Sequence, residues 1–133
     1  MYILDTDICS YIIKHRPPEV LQKFDSIAYD ELHISVITQA ELLFGAKKLG
    51  SQQLIILVEN FISRLKLLPW EGKQAFAYAD LRNSLEKAGT PIGNMDLMIS
   101  SHALSLNATL VTNNTKHFAK VPDLRYENWV LNT

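Results

Sequence analysis

Short apolar runs alternate along this chain with longer stretches of helical spacing. Tyr2-Ile3-Leu4 reads as a first strand that ends at Asp5, and Asp7 is placed to cap a helix running to about Lys14. Pro17-Pro18 breaks the chain and opens a helix through about Phe24. Residues 32–37 alternate weakly and are rich in β-branched side chains, which predicts a strand. Thr38 then starts a helix to about Lys48, ended by Gly50. From Ser51 onward, Leu54, Leu57, Val58, Phe61, Ile62 and Leu65 recur at helical spacing. Residues 66–69 form a short strand closed by Pro69. Residues 71–88 form an amphipathic helix with Phe76, Ala79 and Leu85 inward and Lys73, Asp80, Arg82 and Lys87 outward. A loop over 89–93 holds two glycines and a proline, and Asn94 caps the next helix, which runs to about Leu106. Ala108-Thr109-Leu110-Val111 is a short apolar strand, and residues 125–130 form a last edge strand.

Strands alternating with helices imply an α/β fold, a short central parallel sheet flanked by helices on both faces. Right-handed crossovers then bring the loops after the strands to one edge. At 133 residues the chain suits one domain with one core, spanning 1–133. Hydrophobic residues make up 47% and charged residues 20%, which excludes wholesale disorder. No apolar run approaches the roughly 18 residues that cross a membrane, and no basic region precedes the first apolar residues as in a signal peptide. A cytoplasmic protein is the expectation. Cys9 is the only cysteine, so no internal disulfide and no thiolate zinc cluster can form; its surroundings read as a buried helix face. The net charge of -1 argues against a uniformly basic nucleic-acid binder. It does not exclude a nuclease, whose acidic centre hides its basic residues in the sum.

Three acids sit at strand-to-helix junctions: Asp5, Glu41 and Asp96. In an open α/β sheet the strand ends meet in one crevice where ligands bind. Carboxylates gathered there repel one another, and a divalent cation, magnesium or manganese, relieves the repulsion. With Asp7 free to cap the first helix, Asp5 has no structural duty of its own. Glu41 has a rival reading: Thr38-Gln39-Ala40-Glu41 is a capping box, and spacing supports both readings equally. Asp96 follows Asn94, the better cap, and the glycine-rich loop before it suggests close approach to the backbone. Asn114 lies just past a strand, where turn chemistry explains an asparagine equally well. The pairs Lys14/Arg16, Lys47/Lys48 and Lys116/Lys120 read singly as solvated surface and together as flanks of the crevice. The four histidines lack the spacing of a zinc site.

These residues resemble a family. Leu4-Asp5-Thr6-Asp7, Ile34-Ser35 through Glu41-Leu42, Gly45, Gly89-Thr90-Pro91-Ile92-Gly93-Asn94-Met95-Asp96, Ile99, Ala103, and Val111-Thr112-Asn113-Asn114 with Phe118 are similar, in order and over nearly the whole chain, to PIN-domain endoribonucleases of the VapC toxin type from type II VapBC toxin–antitoxin pairs. The resemblance implies a single PIN-like domain and a magnesium- or manganese-dependent endoribonuclease. It matches Asp5, Glu41 and Asp96 to the family's acidic triad. Asn114 stands at the fourth acidic position, which puts a direct second-metal ligand there in doubt, and Asp7 stands where asparagine is common. Asp5 and Asp96 would bind the first ion, and Glu41 would orient or deprotonate the attacking water. Asn114 and Thr112 would position water or a phosphate oxygen, and Asp7 would add a carboxylate or only cap its helix. The implied substrate is a structured RNA, a transfer RNA cut in its anticodon loop. The implied partners are a VapB-type antitoxin, whose basic side chain enters the acidic pocket, and a second copy of the chain. DNA is reached only through the antitoxin. Two other readings stay open. Ile3-Leu4-Asp5-Thr6-Asp7 also resembles the strand–DxD start of a haloacid-dehalogenase-like phosphatase, although Cys9 stands where that family favours Thr or Val. A non-catalytic PIN-like binding module would explain Asn114.

Overall fold

The computed structural model describes residues 1–131. The elements run β1 (Tyr2–Leu4), α1 (Thr6–Lys14), α2 (Pro18–Ser26), β2 (Leu32–Ser35), α3 (Val36–Lys48), α4 (Gln52–Ile62), β3 (Lys66–Leu68), α5 (Gly72–Lys87), α6 (Asn94–Ser105), β4 (Thr109–Val111), α7 (Thr115–Phe118) and β5 (Arg125–Glu127). The five strands form one sheet in the order β3-β2-β1-β4-β5, and every pairing is parallel. The expected α/β architecture is therefore what the chain adopts.

Short strands suffice because successive residues serve opposite faces, and both faces are buried. In β1, Ile3 points to one face and Leu4 to the other, and both are fully buried. Leu4, Ile34 and Val111 pack with Ile8, Cys9 and Ile12 of α1, Val20 and Phe24 of α2, and Val58 and Phe61 of α4. Ile3 and Leu110 pack on the opposite face with Leu81 and Leu85 of α5, Leu97, Ile99 and Ala103 of α6, and Phe118 of α7. A parallel sheet covered on both faces needs such continuously apolar strands. Cys9 is buried in the first cluster, as its neighbours suggested.

The two clusters are joined by a buried polar tie. Ser35 Oγ accepts the Ile37 N–H at 3.0 Å, capping α3, and lies 2.8 Å from His102 Nδ1 on α6. Burial holds the His102 pKa below its ordinary value, so the ring is neutral. Nδ1 and the Ser35 hydroxyl share a hydrogen bond whose direction follows the tautomer of the ring, and Trp70 stands edge-on to the ring at 5.6 Å. This bond fixes the start of α3 against α6.

Several expected boundaries move. α3 begins at Val36, two residues before Thr38, because Ser35 is the cap; Thr38 Oγ1 is buried and has no hydrogen-bond partner. α6 begins at Asn94 itself, with Gly93 as its cap. On α5 the inward residues are Gln74, Leu81 and Leu85, whereas Phe76 is 73% exposed and Ala79 is exposed as well. Phe76 lies five positions before Leu81, so the helix turns it away from the core side.

Two substitutions test this packing. Phe24→Ala is expected to destabilise by about 3–5 kcal/mol, whereas Phe76→Ser shifts stability by less than about 0.5 kcal/mol. Urea denaturation curves measure both, and a large loss at Phe76 would contradict the outward placement.

Candidate active site

The strand order reverses around β1, whose neighbours are β2 and β4. Connections leaving a sheet to opposite sides open a crevice at the carboxyl ends of its strands. Asp5 is the first residue past β1, and its backbone N–H donates to Val111 O at 3.0 Å, which locks it beside the end of β4. A cleft of about 150 Å³ opens there, lined by Asp5, Thr6, Asp7, Glu41, Met95, Asp96, Ile99, Asn114 and Phe118. It has room for roughly five to ten waters, which accommodates a hydrated ion or a phosphate but not a nucleoside.

Asp5 is 7% exposed. Its Oδ1 accepts the Ile8 N–H at 3.0 Å, so Asp5, not Asp7, caps α1. The expectation that Asp5 lacks a structural duty is corrected: the helix starts directly after the strand, and only the residue at that junction reaches the first free N–H groups. Asp7 is exposed in the first turn and lines the cleft. Burial raises the Asp5 carboxyl from 3.8 to about 6. The Ile8 N–H and the Thr112 hydroxyl pull the other way, and the charges of Asp7 and Asp96 add to the rise.

Glu41 lies in the second turn of α3, half-buried. Its Oε1 accepts from the Thr6 hydroxyl at 2.7 Å. The capping box with Thr38 does not form, because a helix starting at Val36 places Glu41 beyond the first turn. Asp96 sits in the first turn of α6, where the helix dipole favours its charge. A Cβ at Gly93 would meet nothing within 4 Å, so no close approach within the protein requires glycine there, while Ile92 anchors the loop against the α5–α6 cluster. Asn114 lines the cleft, and its backbone N–H donates to Thr112 Oγ1 at 2.9 Å. Thr112 is fully buried beneath it, with its own hydroxyl proton free to turn toward Asp5.

The structure thus brings Asp5, Asp7, Glu41, Asp96 and Asn114 around one cleft, with Thr112 below. Two participants escaped the sequence reading. Thr6 orients Glu41, and its only signal was adjacency to Asp5. His117 places Nδ1 2.9 Å from Asp96 Oδ2, and nothing in the spacing marked it. The basic pairs do not flank the cleft as a set. α1 starts at the site and runs nine residues, about 14 Å, so Lys14 ends far from it. Lys47 and Lys48 likewise close α3.

Four carboxyl groups line the cleft and no lysine or arginine does. Among the described residues, no three His, Cys, Asp or Glu side chains stand close enough to hold a metal ion by themselves. A divalent ion here would have to take only one or two of these carboxylates. Magnesium takes one or two carboxylates and completes its shell with waters and substrate phosphate oxygens. Among the described residues, no helix is long and apolar enough to cross a membrane.

Residues 2–124 match the PIN domain family. The chain is 42% identical over 131 residues to Ribonuclease VapC2 of Rickettsia felis, covering 97% of this chain and 98% of that protein. It is 37% identical over 129 residues to the tRNA(fMet)-specific endonuclease VapC of Salmonella typhimurium, covering 96% and 97%. Among solved structures, DNA-bound VapBC from Salmonella typhimurium superposes with a TM-score of 0.91 at 37% identity, over 97% of this chain and 98% of that one. VapBC2 from Rickettsia felis, bound to a DNA fragment from its promoter, superposes at 0.88 with 41% identity over the same shares.

The raised Asp5 carboxyl makes stability depend on pH. Below 3.8 the group is protonated in both the folded and the unfolded chain. Between 3.8 and about 6 the folded form keeps a proton that the unfolded chain has lost, so stability falls as pH rises. Above about 6 the penalty is complete, about 3 kcal/mol. Asn caps helices as well as Asp does. Asp5→Asn is therefore expected to exceed the wild type in stability at pH 7 and to lose most of that advantage at pH 4, in urea titrations at both values. An equal offset at both would show that burial does not strain the carboxyl.

Proposed function

The chain belongs to the PIN-domain family and within it to the VapC ribonucleases of VapBC toxin–antitoxin systems, and we propose that it cuts RNA with the help of a magnesium or manganese ion held by Asp5 and Asp96. The observation that carries this reading is the cleft itself. An RNA phosphate brings negative charge to a hollow lined by four carboxyl groups and no basic residue, so the approach needs a cation between them. The ion, when bound, neutralises charge at the scissile phosphate and makes water more acidic.

The chain's own residues account for the rest. Asp5 is held by its capping bond and by burial, so its free oxygen faces the cleft with little freedom. Glu41 is fixed through Oε1 by Thr6, which leaves Oε2 to take the proton of the attacking water. Asn114 orients a phosphate oxygen or water from the opposite wall, and Thr112 beneath it holds the Asn114 backbone N–H. Ile99, Met95 and Phe118 give that wall an apolar lining, which strengthens each electrostatic contact.

The cleft has no room for a whole nucleoside, so choice of RNA rests on shape, backbone and stacking outside it. A transfer RNA, cut in its anticodon loop, is the substrate we favour; the tRNA(fMet)-specific relative supports it. The partner is a VapB-type antitoxin, because the structural relatives are VapBC complexes. A basic side chain from its tail would compete with the ion for Asp5 and Asp96. Promoter DNA is reached through that antitoxin, the toxin acts as a homodimer, and the reaction belongs in the cytoplasm. The phosphatase reading of the strand–DxD start is not favoured, since that segment opens a PIN domain.

Asp5→Ala or Asp96→Ala is expected to lower cleavage of purified transfer RNA by more than the roughly 10–100-fold that loss of an outer partner costs. Chelation should abolish cleavage by the wild type, and manganese should raise its melting temperature but not that of Asp5→Asn. Full activity in either alanine variant refutes the assignment. Thr6→Val removes the bond that orients Glu41, about 1.4 kcal/mol, and is expected to lower kcat about tenfold with KM nearly unchanged.

A further inference from the structure

His117 lies outside the set of groups that act on the RNA phosphate and water. It lies on α7, three residues after Asn114, with Nδ1 2.9 Å from Asp96 Oδ2 and 2.8 Å from Asn114 Nδ2. It does not line the acidic cleft. It stands behind Asp96, in a neighbouring hollow shared with Gly93 and Lys120. An ionised carboxylate oxygen only accepts, so the ring nitrogen facing it carries the proton, in the neutral Nδ1–H tautomer and in the cation alike. Asn114 then meets that same N–H best through Oδ1. A half-turn of its amide, which interchanges Oδ1 and Nδ2, achieves this.

We infer that His117 is a positioning residue for the cation site. Its Nδ1–H fixes Asp96 through Oδ2 and turns the other carboxylate oxygen toward the cleft that Asp96 lines. The inference rests on the reading of Asp96 as a cation ligand. Ligating side chains are held in orientation by outer hydrogen bonds, and loss of such a partner weakens the metal. The dependence is strong here, because no third His, Cys, Asp or Glu among the described residues is near enough to share the ion. Two carboxylates cannot absorb the misorientation of one. The His117 and Asp96 side chains are 52% and 30% exposed, and a contact so open to water adds little to fold stability. Its effect falls on orientation.

Calorimetric titration of the purified full chain with manganese tests this, comparing the wild type with His117→Phe, His117→Asn and Asp5→Asn. Phenylalanine keeps the ring and removes the N–H; asparagine returns a donor near the place of Nδ1. His117→Phe is expected to weaken manganese binding roughly 10–100-fold, with its metal-free melting temperature essentially unchanged. His117→Asn should recover most of the affinity, and raised manganese should restore RNA cleavage by His117→Phe. If the wild type binds manganese, Asp5→Asn does not, and His117→Phe binds within twofold of the wild type, this inference alone is overturned. If the wild type itself binds no manganese, it falls together with the cation reading.

Discussion

A charged group placed where the sheet can least accommodate it governs this molecule. β1 is three residues long, paired on both edges and covered on both faces. The residue that follows it has no route to solvent except the gap where the strand order reverses. Asp5 occupies that position, with its carboxyl largely buried and one oxygen already used on Ile8. Every other part of the site is arranged around this group. The remaining acids approach from α1, α3 and α6, and Asn114 and Thr112 approach from the end of β4.

The relative placement of those parts depends on a bond far from the chemistry. Ser35 both caps α3 and bonds His102 on α6. Glu41 rides on the first of these helices and Asp96 on the second. A buried serine–histidine contact thus sets the distance between two acids that never touch. The fully buried His102 is better understood as a spacer than as a reactive group.

The sheet and the list of acids were legible in the sequence because periodicity and junction position are strong signals. The roles of single polar residues were less so. Asp5 and Asp7 both suit a cap, and which one serves depends on whether the helix starts at once or after a turn. Val36 and Ile37 are β-branched and extended the expected strand, which hid the capping role of Ser35 and made Thr38–Glu41 look like a box. Phe76 followed no rule, since a large apolar residue on a wet face carries no mark. His117 was invisible because its meaning comes from a residue 21 positions away in the chain, joined to it only by packing of α6 against α7.

The small volume of the cleft separates two tasks that many enzymes combine. On the proposed reading, bond breaking would be confined to a centre built on the buried Asp5, whose place is pinned by the sheet. On the same reading, discrimination among RNAs would fall to the exposed rim, where a typical substitution shifts stability by less than about 0.5 kcal/mol. Such a molecule is evolvable in one respect and frozen in the other. Its descendants can drift from one RNA target to another by rim changes alone, while the cutting centre stays the same.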